Sequence, residues 1–118
     1  MQLQSFRGLR SLILGENKIG DAGIRVMTDY LTSLTKLQLN TNKFSAASLA
    51  NIGNLKELRV LDIRSNNLGD ECVKYLAKAT SLQELSISKN SLTDNATLHI
   101  AQLTNLFYLD LTTNLITD

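Results

Sequence analysis

One spacing of leucine and asparagine recurs five times along the chain, and it restricts the fold more than any other feature. Each copy reads L-x-x-L-x-L-x-x-N-x-L, with isoleucine or phenylalanine in place of some leucines, and the copies begin at Leu9, Leu34, Leu58, Leu82 and Leu106. The starts are 25, 24, 24 and 24 residues apart. A fixed period of this length indicates a solenoid, in which each repeat buries its apolar face against the next one.

The leucine and asparagine positions each have a physical reason. The alternating L-x-L predicts a short strand with one buried face, and identical strands then stack in parallel at ~4.8 Å. Asparagine follows the strand, where its amide can both donate to and accept from the backbone of the turn. We therefore expect a structural ladder of stacked side chains formed by Asn17, Asn42, Asn66, Asn90 and Asn114.

The segments between the strands show helical spacing of apolar residues, which predicts a return helix of about ten residues in each repeat. Asp21, Asp70 and Asp94 share one register and suit the helix start as caps or dipole partners. A further column holds only small residues, which predicts close packing of helix on sheet: Gly23, Ser48, Cys72 and Ala96. Cys72 is accordingly expected to be a buried packing residue.

Residues 69–77, G-D-E-C-V-K-Y-L-A, and their echo at residues 20–23 resemble leucine-rich repeats of the ribonuclease-inhibitor-like subclass. The resemblance covers nearly the whole chain. It implies an α/β fold, a right-handed horseshoe-shaped solenoid with a parallel β-sheet on the concave face and helices on the convex face. The 24-residue period is similar to that of bacterial members, including effectors injected into host cells. Binding of another protein is implied by analogy alone, because a fold does not determine a function.

The chain is long enough for one domain, and we predict a single repeat domain over residues 1–118, with repeats starting at 9, 34, 58, 82 and 106. Residues 1–8 are interpreted as the end of a preceding half-repeat or as a cap, because Leu3 and Phe6 fall in the apolar helix columns. Neither end shows a polar cap. Two interpretations stay open: a fragment of a longer array, or a short protein whose first half-helix is a crude cap.

Composition and motifs indicate which functions to expect. The net charge of +1 argues against partners such as nucleic acid or a membrane surface. A single cysteine permits no internal disulfide and favours a reducing compartment, the cytoplasm or, for a secreted effector, the host cytosol. His99 has no accompanying metal ligands, and phosphate-binding, dinucleotide-binding and nucleophile motifs are missing from the sequence. We therefore expect no enzyme activity, no cofactor, no metal and no small-molecule ligand.

Positions beside the strand leucines vary freely while the leucines do not, so they are the ones available for binding. Aromatic side chains are frequent in binding hot spots, which draws attention to the fifth repeat. The candidate partner-binding residues are Lys36, Gln38, Asp62, Arg64, Glu84, Ser86, Phe107, Tyr108 and Asp110.

These observations predict a protein–protein interaction module that binds its partner through the concave face and its C-terminal part. The alternative is an architectural or targeting arm of a larger multidomain protein with its activity elsewhere.

The last strand has no lysine, arginine or proline after Leu106 to protect its edge. Self-association through this C-terminal edge is therefore expected as well.

Overall fold

The computed structural model describes residues 2–117, and it contains one parallel sheet of five strands in sequence order. Met1, which the sequence places in a preceding helix, and Asp118 lie outside the described residues. The strands are β1 Ser11–Ile13, β2 Lys36–Gln38, β3 Val60–Asp62, β4 Glu84–Ser86 and β5 Tyr108–Asp110. The predicted solenoid of strands alternating with helical segments is confirmed.

The sheet register follows the leucine pattern. The central leucine of each strand pairs with that of the next, in the row Leu12, Leu37, Leu61, Leu85 and Leu109. Inner members of this row are almost completely buried, and the core around them is aliphatic. Since each strand stacks on a neighbour of the same shape, the residues that flank the leucines share one solvent-facing surface.

The convex segments are less regular than the sequence predicts. The first repeat has a ten-residue helix, α1, Asp21–Tyr30. The other segments are a 3₁₀ stretch at Ala46–Asn54, a short helix α2 at Glu71–Leu76, and a 3₁₀ turn at Asp94–Ala96 that continues into α3, Thr97–Ile100. The expectation of about ten helical residues in every repeat is therefore wrong after the first. The first repeat is one residue longer, and 3₁₀ geometry lets the shorter repeats cover more length per residue.

The expectation that the aspartates cap the following helices is wrong, because within residues 2–117 Asp21, Asp70 and Asp94 form no side-chain cap hydrogen bond. Asp21 and Asp94 do lie in the first helical turn, where the dipole role was expected. Each carboxylate instead accepts two hydrogen bonds from the next repeat, from a backbone N–H and a hydroxyl. The donors are Ser45 for Asp21 (2.7 and 2.8 Å), Thr93 for Asp70 (2.7 and 2.5 Å) and Thr117 for Asp94 (2.8 and 2.6 Å). These contacts join successive repeats along the convex edge.

A sequence signal for these contacts exists. A repeat has aspartate at this position only where the donor position of the next repeat is serine or threonine. The second repeat has Ala46 in place of aspartate, and the donor position that follows it is Gly69. That pairing between positions 23 or 24 residues apart could have been found without the structure.

The asparagine ladder is confirmed from the second repeat onward. The Asn66 amide nitrogen donates to the carbonyl oxygens of Leu39, Ile63 and Arg64 at 2.9–3.1 Å, and its oxygen accepts from the Asn42 N–H at 2.7 Å. Asn17 is exposed and its side chain bonds only carbonyls of its own repeat. It has no described repeat before it, so it stands outside the ladder.

The small-residue column packs as predicted at its last three positions, where Ser48, Cys72 and Ala96 are buried. Burial, followed by the nearby charges of Asp70 and Glu71, raises the pKa of the Cys72 thiol to about 12. Because the thiolate is the reactive form of cysteine, this thiol is unreactive at neutral pH.

Candidate functional site: the concave face

Two rows of side chains flank the buried leucines on the surface of the sheet. The first row is Ser11, Lys36, Val60, Glu84 and Tyr108, and the second is Ile13, Gln38, Asp62, Ser86 and Asp110. We call this surface the concave face. Strand pairing puts neighbours within a row at the ~4.8 Å spacing of adjacent strands.

A shallow depression of about 310 Å³ lies over β2–β5 on the concave face. Its walls are formed by Lys36, Gln38, Val60, Leu61, Asp62, Glu84, Ser86 and Tyr108. Six of these are candidates from the sequence. Val60, which was not among the candidates, also lines the depression and is half-buried.

Asp62 is less available to a partner than the sequence suggests. Its carboxylate is 6% exposed and accepts from Arg64, from Nε at 2.9 Å and from Nη2 at 2.8 Å. The hydrogen bond from Arg64 to Asp62 is the largest cause that raises the pKa of the Arg64 guanidinium. The two charges therefore largely satisfy each other inside the molecule.

Asp110 sits two strands away in the same row as Asp62. Its Oδ1 accepts from the backbone N–H of Thr112 at 3.0 Å and from the Thr112 hydroxyl at 2.8 Å. These bonds, with the positive charge of Arg64, lower the pKa of the Asp110 carboxyl. Asp110 is thus anionic at neutral pH and half-exposed.

Five other candidates on the concave face are not engaged by the scaffold. Within residues 2–117, the side chains of Lys36, Gln38, Glu84 and Tyr108 form no hydrogen bond or ion pair. Ser86 likewise has no side-chain bond in that part of the chain. These groups can exchange water for a partner without first breaking an internal contact.

A second depression, of about 240 Å³, lies where the strands end and was not predicted. It is lined by Glu16, Asn40, Thr41, Arg64, Ser65, Ser88 and Lys89. One row beside it has left-handed backbone at every repeat, with φ of 54–58° at Glu16, Thr41, Ser65, Lys89 and Thr113. No glycine or asparagine occupies the row, so the sequence contains no signal for this conformation.

The fifth repeat is apolar at its surface, as predicted. Phe107, Leu115 and Tyr108 are 74%, 62% and 50% exposed. Phe107 lies at the rim of the concave face, where its backbone N–H bonds the Gln83 carbonyl at 2.9 Å. The aromatic pair therefore extends the concave face toward the C-terminal edge.

Metal and membrane sites are not seen in the described part of the chain. Residues 2–117 bring together no group of three histidine, cysteine or carboxylate side chains that could hold a metal ion. None of their helices has both the length and the apolar character that crossing a bilayer requires.

Known proteins provide an independent comparison. The family described as leucine rich repeat matches residues 7–68 and 56–116. A search of curated proteins finds no significant match. Among solved structures, the fold is similar to an internalin, InlF, from Listeria monocytogenes, with 32% identity and a TM-score of 0.85 over 98% of this chain and 32% of that one.

Two further structures show the breadth of the likeness. Internalin C2 from Listeria monocytogenes is 29% identical, with a TM-score of 0.78 over 93% of this chain and 45% of that one. The plant peptide hormone receptor RGFR1, solved in complex with RGF2, is 26% identical, with a TM-score of 0.68 over 95% of this chain and 18% of that one. The chain thus spans less than half the length of each of these proteins. From its repeats, its parallel sheet and these matches, the chain belongs to the leucine-rich repeat family.

Proposed function

We propose that the chain binds a partner protein through the concave face and its C-terminal part, across the strands β2–β5. The observation that carries this proposal is the depression lined by Lys36, Glu84 and Tyr108, whose side chains form no hydrogen bond or ion pair within residues 2–117. The solved complex of the plant receptor with RGF2 supports protein or peptide binding as a use of this fold.

The concave face alone is small. Five strands at ~4.8 Å span roughly 19 Å, and each three-residue strand is roughly 10 Å long, so the paired part of the face has on the order of 200 Å². A standard interface uses about 800 Å² of each partner. The isolated chain is therefore expected to bind weakly if only the concave face is used.

The setting and the subclass belong to this proposal as well. The short repeats and the likeness to two Listeria internalins support a bacterial or host-interacting protein, including an effector. The single, buried Cys72 is compatible with a reducing compartment, the cytoplasm or the host cytosol. We assign the repeats to a short ribonuclease-inhibitor-like form without enzyme activity.

A matched pair of variants tests the binding role. Lys36→Ala/Glu84→Ala/Tyr108→Ala removes three concave side chains that make no internal bond, and Leu98→Ala removes an exposed convex one. Proteins captured by the native chain are purified and titrated against all three forms by calorimetry. We expect the triple variant to lose binding and Leu98→Ala to keep it. Equal binding by all forms would favour the alternative, an architectural or targeting arm.

A second role, self-association, is proposed at the C-terminal edge. In β5, Leu109 is 39% exposed, and Phe107 and Leu115 add apolar surface beside it. The outer edge of β5 has no strand beside it within residues 2–117. Two copies related by a two-fold axis could cover this end and close the assembly.

Analytical ultracentrifugation at high concentration tests self-association. Phe107→Lys/Leu115→Lys should shift dimer to monomer, while Leu98→Lys, at a comparably exposed convex position, should not. A native chain that remains monomeric would refute this role.

A further inference from the structure

The first row of the concave face has an ordered chemical pattern. From β2 to β5 it presents a cation, an apolar side chain, an anion and an aromatic ring, at Lys36, Val60, Glu84 and Tyr108. Strand pairing places each beside the next, so Lys36 and Glu84 are two strand spacings, ~9.6 Å, apart across Val60. The row is therefore electrically polar along the solenoid axis.

Asp110 adds to the negative end of this row. Arg64 is paired with Asp62, so these two add little net field. Asp110 lies beyond Glu84 on β5 and is held in its anionic form by Thr112. The negative end of the face therefore has two carboxylates beside the half-exposed ring of Tyr108, and the positive end has Lys36.

Resting on the binding role proposed above, we infer that the partner presents an extended segment with an acidic and a basic residue three positions apart and an apolar residue between them. The acidic side chain pairs with Lys36, and the basic one with Glu84 and Asp110. In a polyproline-type segment, residues i and i+3 lie on one side and ~9.3 Å apart, which matches the ~9.6 Å row spacing.

Two further contacts follow from this placement. The apolar residue lies beside Val60, which lines the depression between Lys36 and Glu84. An arginine above Glu84 also reaches the face of Tyr108, where a cation and an aromatic ring attract each other. An RNA or DNA strand does not fit, because its phosphates would meet Glu84 and Asp110 without compensation.

Capped peptides tested by NMR titration of the native chain decide the matter. The probes are Pro-Glu-Pro-Leu-Arg-Pro, its reversed order, the neutral peptide with glutamine at both charged positions, and a peptide with glutamate at both. At least one of the two zwitterionic orders should shift resonances of Lys36, Val60, Glu84 and Tyr108. It should bind roughly five- to tenfold more tightly than the neutral peptide, the combined effect of two exposed charge pairs.

Charge reversal makes the test specific. Glu84→Lys should reject the zwitterionic peptides and select the peptide with two glutamates, whereas Lys74→Glu, on the exposed side of α2, should change neither preference. Unaltered urea midpoints establish that the variants fold. This inference is overturned if neither zwitterionic peptide binds more tightly than the neutral peptide, or if Glu84→Lys does not change which peptide binds most tightly. The binding role would still stand if the concave triple variant loses its captured partner.

Discussion

The central repeats and the terminal repeats have the same residues in the same register but bury them to different extents. Leu61 of β3 is 1% exposed, while Leu109 of β5, in the same row, is 39% exposed. Asn66 bonds its own repeat and the repeat before it, while Asn17 bonds only its own. The contribution of a residue to stability therefore depends on how many repeats cover it, as expected for an array in which each repeat interacts with its nearest neighbours.

The two ends also differ from each other. A 3₁₀ turn at Leu3–Ser5 packs against α1, and the Arg7 guanidinium lies 5.2 Å from the centre of the Tyr30 ring. Leu3 contacts the core, but Phe6 is 54% exposed, so the expectation that both residues shield the first repeat is correct only for Leu3. The C-terminal end has no equivalent cover among the described residues.

The largest effect should appear in the leucine row. Leu61→Ala removes a fully enclosed side chain and is expected to lower the free energy of unfolding by about 3–4 kcal/mol, with a cavity contribution. Leu109→Ala should cost about 1 kcal/mol, because its side chain is already partly hydrated. Urea melts of both variants check this, and equal losses would contradict the dependence on neighbouring repeats.

The asparagine row should show the same contrast at a smaller scale. Asn66→Ala leaves the Asn42 N–H without its acceptor, while the Leu39, Ile63 and Arg64 carbonyls each keep a second donor, so we expect a cost of about 1–2 kcal/mol. Asn17→Ala should cost below ~0.5 kcal/mol, since water replaces its two exposed bonds. A harmless Asn66→Ala would refute the ladder as a source of stability.

The aspartate contacts between repeats allow a third comparison. Asp70→Ala removes a part-buried acceptor for two Thr93 groups, and we expect a loss of about 1–2 kcal/mol. Asp94→Ala removes the corresponding contact with Thr117 at the exposed end, and its loss should be roughly half as large. Chemical denaturation gives both values. A double-mutant cycle with Thr93→Val isolates the hydroxyl contribution at Asp70.

Acid should weaken the first of these contacts. The backbone N–H of Ser45, then its hydroxyl, lowers the pKa of Asp21 from 3.8. Its stabilising effect is therefore fully present above pH 3.8 and is lost as the pH falls through the lower folded-state pKa. Since the group is near the surface, we expect below ~1 kcal/mol. As the pH is lowered, the free energy of unfolding should fall less in Asp21→Asn than in the native chain. An equal pH dependence in the two proteins would contradict this.

The smallest effect should be the same in inner and outer repeats. Thr41 and Thr113 have φ of 58° and 54°, a left-handed conformation that disfavours β-branched residues and that asparagine tolerates. Thr41→Asn and Thr113→Asn should each stabilise the chain by about 0.5 kcal/mol. This strain is local, so unequal thermal shifts would show that the neighbouring repeats influence it.

Much of the scaffold was predictable because its causes are local or strictly periodic. The leucine row, its register and the concave rows follow from a pattern repeated at 24 or 25 residues. The irregular convex segments were not, because repeats of the same 24-residue length form 3₁₀ turns, short α-helices or both, and the leucine period does not specify which. The engagement of Asp62 by Arg64 was also hidden, since both residues occupy positions that the repeat leaves free to vary.

The sequence by itself determined the family, the order of the strands and the residues that share the concave face, because periodic burial permits one stacking of identical units. Only the tertiary structure decided which of those residues remain free for a partner. Lys36, Glu84 and Tyr108 are unengaged within the described chain, while Asp62 is held by Arg64. Thr112 bonds one carboxylate oxygen of Asp110 and leaves the other available. Those pairings depend on how side chains meet in space, which a repeat pattern does not specify.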